Sequence, residues 1–443
     1  MFEGKTSCYR KPGARWLIAS NSVLRCHICR DSSAMSYCQK LPSGQTDAVG
    51  RPRVSATWAV VALALSLLWQ FLTVHYNRAG NWNALFLTGQ LLAVPPDLAR
   101  GTYLFPGTGF DGQMYRYVAH DPFLQRGYAR YLDNPGERYR RILVPALAYF
   151  LAAGHQPLID ASYIAIVGLF VLLGAYWLSR WAVLVGAHPS WALAFLLIPA
   201  TLISMDRMTV DVALAALTVA FAVYWKTGSW WKLFVVLLLA CLVRETGLLL
   251  VAGVCLFDWI NRRFARGALW ASASLPMFAW YWFVSGKFHE KTRYGAPTWF
   301  LKKLAPGLFH SVLQPPRYPL PATLEAIARV ADVLALAAIL FASILAIALF
   351  LRVRPRGPLA IAALLFAALV FALTSNQYWT DPYGYPRVFS PLLILIALPS
   401  ITREAGTLSP WWLTLVPALV IDLRVGMQFV WAISGAVRGL LHL

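Results

Sequence analysis

Charged residues are scarce in this chain. Only 13% of its 443 residues are Asp, Glu, Lys or Arg, about half of the roughly 25% that soluble domains carry. In their place, 59% of the residues are hydrophobic, and many apolar runs approach the ~20 residues that a helix needs to span a bilayer. The sequence therefore predicts an all-α polytopic membrane protein and argues against an ordinary soluble domain.

Acidic residues are fewer than basic residues. There are 19 Asp and Glu against 39 Lys and Arg, which gives a formal net charge of +20. In a soluble protein such an excess would indicate nucleic-acid binding. Here many basic residues fall in short loops between apolar runs, as the positive-inside rule predicts. We therefore expect membrane lipid, and no nucleic acid, as a partner.

A complete cysteine metal motif is also lacking. Cys26 and Cys29 form one C-x-x-C pair, which Cys8 or Cys38 could extend to a zinc site, but structural zinc sites usually have two such pairs. The alternative is that residues 1–55 are a basic, disordered cytoplasmic tail, or that translation starts later, for instance at Met35. No apolar stretch of the signal-peptide kind occurs before about Ala56.

The apolar runs predict about eleven transmembrane helices, within a range of ten to thirteen, in a single domain over 56–443. The first helix would cover 57–74 and lead from the cytoplasm to the outer side. Basic loops then fall inside, at Lys226, Lys232 and Arg262, for example. The later predicted spans are 162–181, 190–204, 209–225, 230–243, 246–260, 268–285, 327–351, 357–374, 387–400 and 410–430.

Two long outer loops interrupt this pattern, at 77–161 and 286–326. The first contains an apolar run over 142–153 that is short for a span, and we expect an interfacial helix there. It also contains Asp111 between Phe110 and Gly112, where glycine allows a tight turn that exposes a carboxylate. The G-x-G-x-x-G spacing from Gly107 to Gly112 resembles a dinucleotide loop, but no strand pattern precedes it, so we reject that interpretation.

With this topology, unusual polar residues at the span ends collect on the outer side. Charges at or within spans are costly and usually functional. The set is therefore predicted to line a pocket of mixed charge at the membrane surface. Besides Asp111 it comprises Asp121, Asp206, Arg207, Asp211, Arg244, Glu245 and Arg387.

Each of these residues also has a purely structural interpretation. Asp111 and Asp121 could cap turns, and Asp211 could favour a helix N-terminus through the helix dipole. Arg244 with Glu245 could be a tight-turn ion pair. Arg387 could anchor a helix at the interface, although a guanidinium also binds phosphate oxygens in pairs. Aromatic residues such as Trp82 and Tyr115 could stack on sugar rings or belong to interfacial belts.

The first loop resembles a known family over about 77–150. Its motifs are similar to those of bacterial membrane proteins implicated in cell-surface glycopolymer formation, and the whole architecture resembles the GT-C class of polyprenyl-phosphate-dependent glycosyltransferases. The matching segments are Gly80-Asn81-Trp82, Gly109-Phe110-Asp111-Gly112-Gln113-Met114-Tyr115, Ala119-His120-Asp121-Pro122 and Tyr139-Arg140-Arg141-Ile142-Leu143, with Arg387 and Ser390-Pro391 as a weaker match.

The resemblance implies transfer of a sugar from a polyprenyl-phosphate donor to a glycan or lipid acceptor at the outer face of the cytoplasmic membrane. Asp111 would be the base, with Asp121, Asp206 or Asp211 as further catalytic acids. Phosphate would bind to Arg387, Arg244 and Arg207, and substrate to Gln113, Tyr115, Glu245 and Trp82. The class allows a divalent metal, but no metal ligand is assigned, since no second acid adjoins Asp111. The alternatives are a transporter of lipid-linked saccharide and a non-catalytic subunit of glycopolymer assembly.

Overall fold

The computed structural model describes residues 52–288, 306–313, 316–318, 320–352, 357–373, 376–401 and 411–441. This part of the chain is helical apart from one pair of two-residue strands. The all-α prediction is therefore confirmed. The predictions for residues 1–51, including the C-x-x-C pair and the basic tail, lie outside the described residues, as does much of the second long loop.

The α-helices follow the predicted apolar runs, with shorter helices in the two long loops. They are α1 Pro52–Asn77, α2 Pro96–Ala99, α3 Asp111–His120, α4 Pro135–Arg140, α5 Leu143–Leu151, α6 Gln156–Leu184, α7 Pro199–Arg207, α8 Asp211–Thr227, α9 Trp230–Val243, α10 Leu248–Ile260, α11 Phe264–Ala271, α12 Leu275–Lys287, α13 Pro306–Leu313, α14 Ala322–Arg352, α15 Pro358–Ala372, α16 Asn376–Thr380, α17 Gly384–Ala397 and α18 Val416–Leu440.

Four helical segments of the described chain are long and apolar enough to cross a membrane: Arg53–Asn77, Gln156–Leu184, Ala322–Arg352 and Gly384–Ile401. The number rises to six if each of two bent helix pairs forms one span. The predicted count of about eleven is therefore not confirmed. Several predicted spans are helices of 13 to 15 residues, such as α9, α10 and α15, which rise only about 20–22 Å against a ~30 Å hydrocarbon core.

The helix α6 lies at the centre of the bundle, packed against α1, α5 and α8. Gly174 makes this packing possible, since a Cβ at that position would lie 2.1 Å from the Phe195 ring. Phe195 belongs to a 3₁₀ helix, Pro189–Leu197, which meets α7 at a bend of 63°. The span that was predicted over 190–204 is thus broken, because Pro199 removes a backbone donor and redirects the chain.

The first long loop is ordered and rests on the end of the bundle. Its strands β1, Thr88–Gly89, and β2, Leu104–Phe105, are parallel. A strand does precede the glycine-rich turn, contrary to the sequence-based expectation. The turn itself lies directly against β1, because Gly89 and Gly109 have no side chains to hold their backbones apart. No dinucleotide fold results, since α3 leads to no further strand among the residues described here. The predicted helix over 142–153 is present as α5.

The helix α3 is fixed to α6 by a buried ion pair. Arg116 donates two hydrogen bonds to Asp160, from Nε to Oδ1 at 2.8 Å and from Nη2 to Oδ2 at 2.7 Å. His120 contacts the same carboxylate at 3.0 Å through Nε2. Because bidentate pairs define orientation as well as distance, the N-terminal residue of α3, Asp111, is held in a defined position over the bundle.

Candidate functional site

Acidic and basic side chains from five separate chain segments form a continuous network of ion pairs at the end of the bundle that carries the first loop. We refer to it as the charged cluster. It is contributed by α3, α4 with the residues beside it, α8, the α9–α10 junction and α17. Its members are Asp111, Asp133, Glu137, Arg138, Arg141, Asp211, Arg244, Glu245 and Arg387.

Asp111 lies between two arginines that are distant in sequence. Arg138 of α4 donates from Nη2 to Asp111 Oδ1 at 2.8 Å, and Arg387 of α17 donates from Nη2 to Oδ2. Arg138 also binds Asp133 through two hydrogen bonds, at 2.7 and 2.9 Å. The carboxylate of Asp111 therefore connects the first loop to a helix almost 280 positions later in the chain.

Asp211 is the buried centre of the network. Its side chain is 1% exposed, and it receives hydrogen bonds from Arg244, which is 2% exposed, and from Arg387 at 3.3 Å. Burial of ions is costly, and it is tolerated when the charges are paired and hydrogen-bonded. Arg387 thus bridges the two aspartates that begin α3 and α8.

The outer part of the network is built on Arg141. This guanidinium donates to Glu245 at 2.7 and 3.1 Å, to Glu137 at 2.5 Å and to the Tyr115 hydroxyl at 3.1 Å. The Tyr378 hydroxyl donates to Glu137 at 3.1 Å. The side chain of Glu245 is 42% exposed, so this part of the charged cluster reaches the protein surface.

Local sequence explains why α3 and α8 begin at this place. Asp111 and Asp211 are the first residues of their helices, where negative charge interacts favourably with the helix dipole. Gly112 then allows α3 to lie directly on the end of α7. A Cβ on Gly112 would lie 2.1 Å from the carbonyl oxygen of Arg207 and 3.0 Å from that of Phe86. The turn interpretation of Asp111 and the pocket interpretation are therefore both compatible with the geometry.

Arg207 lies beside the charged cluster, held by aromatic rings. Its guanidinium carbon is 4.5 Å from the ring centroid of Phe110 and 4.0 Å from that of Tyr383, as in cation–π contacts. It also lies 3.5 Å from Asp206. Phe110 contacts Arg387 as well, at 5.1 Å, so both guanidiniums contact the same aromatic side chain of the first loop.

Neighbouring arginines lower the pKa values of two acids in the charged cluster, Asp111 and Glu245. Burial by itself would raise the pKa of Asp111, but Arg387 and Arg138 outweigh it and hold that pKa well below its ordinary value. Burial likewise opposes Arg141 and Arg244 at Glu245, and the arginines lower the pKa of Glu245 to about 2. Both groups are therefore anions at neutral pH and weak proton acceptors while their arginines remain paired with them.

Several predicted site residues are brought together and others are not. Asp111, Asp211, Arg244, Glu245, Arg387 and Tyr115 belong to the network or contact it, and Asp206 and Arg207 lie next to it. Trp82, which is 39% exposed, has no ion-pair or aromatic contact with these residues. Its assignment to substrate binding stays a prediction.

Two further predicted residues have structural partners that account for their side chains. Gln113 accepts from Gly89 N–H at 3.0 Å and donates to the Thr108 carbonyl at 2.6 Å, which holds the glycine-rich turn against β1. Asp121 follows the other end of α3 and accepts from three backbone N–H groups, those of Gln125, Arg126 and Tyr128. The geometry of Asp121 is that of a capped turn, on the opposite end of α3 from Asp111.

Sequence reasoning assigned no site role to Arg138 or Arg141, the arginines that organise the network, although Arg141 belongs to a segment of the family resemblance. Arg138 and Arg141, with Glu137, belong to the charged run that precedes the apolar stretch of α5. The signal was present in that run: three arginines within four residues, and Glu137 four residues before Arg141, a spacing that places both on one helix face. Asp133 gave no comparable signal, and Tyr378 was noted only among the aromatic residues of the outer loops.

No three His, Cys, Asp or Glu side chains of the described chain come close enough to bind a metal ion together. The carboxylates of the charged cluster are also engaged by guanidiniums. The described residues thus form no donor set that suits the divalent metal which the GT-C resemblance allows.

Comparisons with protein-family models, curated proteins and solved structures find no match for this chain. The resemblance to glycopolymer-forming membrane proteins therefore depends on the sequence motifs themselves. What the geometry adds is that the residues of those motifs, in particular Asp111, Tyr115, Arg141 and Arg387, are connected in one network.

Proposed function

We propose that the protein transfers a sugar from a polyprenyl-phosphate donor to a glycan or lipid acceptor, at the outer face of the cytoplasmic membrane, with its N-terminus in the cytoplasm. The observation that carries the proposal is the charged cluster. Replacing buried ion pairs by apolar residues is often neutral or stabilising, so a protein that places nine charged side chains at one end of an apolar bundle needs a chemical reason for them.

The arrangement suits a phosphate-bearing substrate. The N-termini of α3, α8 and α17 lie beside the cluster, and helix N-termini favour anions. Arg244 and Arg387 each retain an Nε–H that has no hydrogen-bond acceptor among the described residues. The apolar helices of the bundle provide an apolar environment for a polyprenyl chain. The phosphate would then reach the arginines while its lipid stays in the membrane.

In this mechanism the acceptor hydroxyl attacks the anomeric carbon and the lipid phosphate leaves. Negative charge develops on the leaving oxygen, and preorganised guanidiniums stabilise such charge without rearranging. Arg387 is the best placed, because Asp111 and Asp211 orient it from two sides. Asp111 then serves mainly to position Arg387, since its low pKa makes it a weak base in the unliganded protein.

The test is Asp111→Asn as the only copy in the host membrane, compared with Asp97→Asn as a matched control. Asp97 also lies in the first loop and pairs with Arg126 at 3.6 Å, but it is half-exposed and outside the charged cluster. We expect Asp111→Asn, at equal protein level, to remove a component from the surface glycan and to accumulate the lipid-linked sugar. An unchanged glycan in both variants would refute the transferase.

A transporter of lipid-linked saccharide is the second candidate, and a specific feature favours it. Transporters carry charges inside the membrane at broken helices. Asp332, within the candidate span of α14, pairs with Arg424 of α18, and both are buried. A transporter would leave the lipid-linked sugar intact but on the inner leaflet in the variants, whereas a transferase defect leaves it on the outer leaflet. Accessibility of the sugar to an impermeant lectin in intact cells distinguishes the two.

A further inference from the structure

One carboxylate beside the charged cluster has no ion-paired guanidinium among the residues that the structure describes. Asp381 lies in the turn between α16 and α17, six residues before Arg387. Among the described residues it forms no ion pair within 4.0 Å, whereas the carboxylates of Asp111, Asp211 and Glu245 are each paired with at least one arginine. Unlike those three acids, Asp381 therefore has no direct ion pair with an arginine that would hold it in the charged form.

The position of the Asp381 carboxylate is nevertheless well defined. Its Oδ1 accepts the backbone N–H of Tyr383 at 3.0 Å, and its carbonyl oxygen accepts the N–H of Gly384 at 2.9 Å. The second oxygen, Oδ2, lies against Gly384, where a Cβ would be 3.0 Å away. One oxygen therefore holds the turn, while the other has no hydrogen-bond donor within the described part of the chain.

Charged groups from three helices act electrostatically on this carboxylate: Arg387 of α17, Arg207 of α7 and Asp111 of α3. Burial raises the pKa of Asp381 above its ordinary value, and the two arginines oppose this without cancelling it. Asp111 has the opposite balance, with a pKa held well below the ordinary value. A stronger base accepts a proton more readily, so of these two acids Asp381 is the better proton acceptor.

We propose that Asp381 Oδ2 is the proton acceptor of the transfer reaction. This inference rests on the function proposed above. As the acceptor hydroxyl forms its bond to the anomeric carbon, its proton passes to Oδ2, and the bond from that carbon to the phosphate oxygen breaks. The leaving oxygen takes the electron pair, so a carboxylate and a phosphodiester become a carboxylic acid and a dianionic lipid phosphate, with total charge conserved.

The hydrogen bond to Tyr383 provides a sharp pair of variants. Asp381→Asn keeps an Oδ1 that can accept from Tyr383 N–H, so it preserves the turn but cannot take a proton from a hydroxyl. Asp381→Ala removes both properties. The assay is consumption of the lipid-linked sugars that membranes of a host lacking the protein accumulate, measured after the full-length variant is supplied at matched levels.

We expect Asp381→Asn to slow consumption by about 10²- to 10⁴-fold, the range that general-base catalysis contributes, and Asp381→Ala to be no faster. If Asp381→Asn retains the wild-type rate while Asp381→Ala loses it, the carboxylate only caps the turn and the proposal is wrong. Arg387→Gln separates this failure from failure of the proposed function. If Arg387→Gln stops consumption and Asp381→Asn does not, only the assignment of Asp381 as the proton acceptor is refuted. If neither variant changes consumption, the transferase itself is refuted.

Discussion

Asp211 provides the most direct test of the charged cluster, because it is a buried anion between two buried cations. Replacing it by Asn removes the negative charge with almost no change of volume, and leaves Arg244 and Arg387 facing each other across a neutral amide. Both arginines then depend on their remaining carboxylates, Glu245 at 3.6 Å and Asp111. The structure therefore predicts a large loss of stability without any loss of packing.

The magnitude follows from burial. Removing one partner of a buried ion pair costs about 3–5 kcal/mol, and since each arginine retains a second carboxylate we expect the lower end, about 3 kcal/mol. The matched control is Asp133→Asn. Asp133 also pairs with an arginine, Arg138, that has another carboxylate partner, but its side chain is 44% exposed. Exposed pairs contribute about 0–1 kcal/mol.

The assay uses the buried thiols of Cys241 and Cys255, which lie in α9 and α10 and react with a thiol-specific fluorophore when the bundle opens. The four cysteines before residue 52 are first replaced by Ser, so that only these two report. We expect the thermal midpoint in detergent to fall much further for Asp211→Asn than for Asp133→Asn. Equal midpoints for the two variants would refute the buried network around Asp211.

Three further predictions concern other parts of the structure. Because the pKa of Glu245 is lowered to about 2, its ionisation contributes stability above about pH 4.5 that is lost as the pH falls towards 2; the thermal midpoint of Glu245→Gln should therefore fall less than that of wild type between about pH 5 and pH 2. Gly112→Ala should lower the midpoint strongly, since its Cβ would press on the Arg207 carbonyl, whereas Gly286→Ala, which meets nothing within 4 Å, should not. Both carboxyl oxygens of Asp422 are buried and have no hydrogen-bond partner among the described residues, so Asp422→Leu should raise the midpoint by removing a desolvation cost of about 1–3 kcal/mol.

Much of the fold followed from the sequence because apolar periodicity and length are local properties. The helices α1, α6 and α14 were predicted, although they begin five or six residues before the predicted spans and end one to three residues after them. The number of spans could not be predicted from the sequence, because a run of 13 or 14 apolar residues has the same sequence pattern whether it crosses a membrane or packs inside a bundle. The bend at Pro199 was also missed, although proline at that position is a local signal.

The site was predictable to the extent that its residues are unusual for their surroundings. Asp111, Asp211, Arg244 and Arg387 were found because charge at the end of an apolar run is rare. Their pairing could not be deduced, because Asp111 and Arg387 meet through long-range packing that no local pattern encodes. Asp381 was not among the predicted site residues, because only the three-dimensional structure shows that a carboxylate has no arginine paired with it.

The pairing changes how the mechanism must be understood. A sequence motif that presents an aspartate in a first loop suggests a base, yet in the structure that carboxylate is held by Arg138 and Arg387 and is a poor one. Under the proposed function, acids that are paired with arginines would position those arginines for a phosphate, whereas an acid without an ion-paired arginine would accept the proton. A substrate phosphate that bound Arg387 would weaken its pair with Asp111 and raise the pKa of Asp111 at the same time. Before the donor binds, only Asp381 would be able to accept a proton, whereas Asp111 would become able to do so after the donor phosphate has bound Arg387.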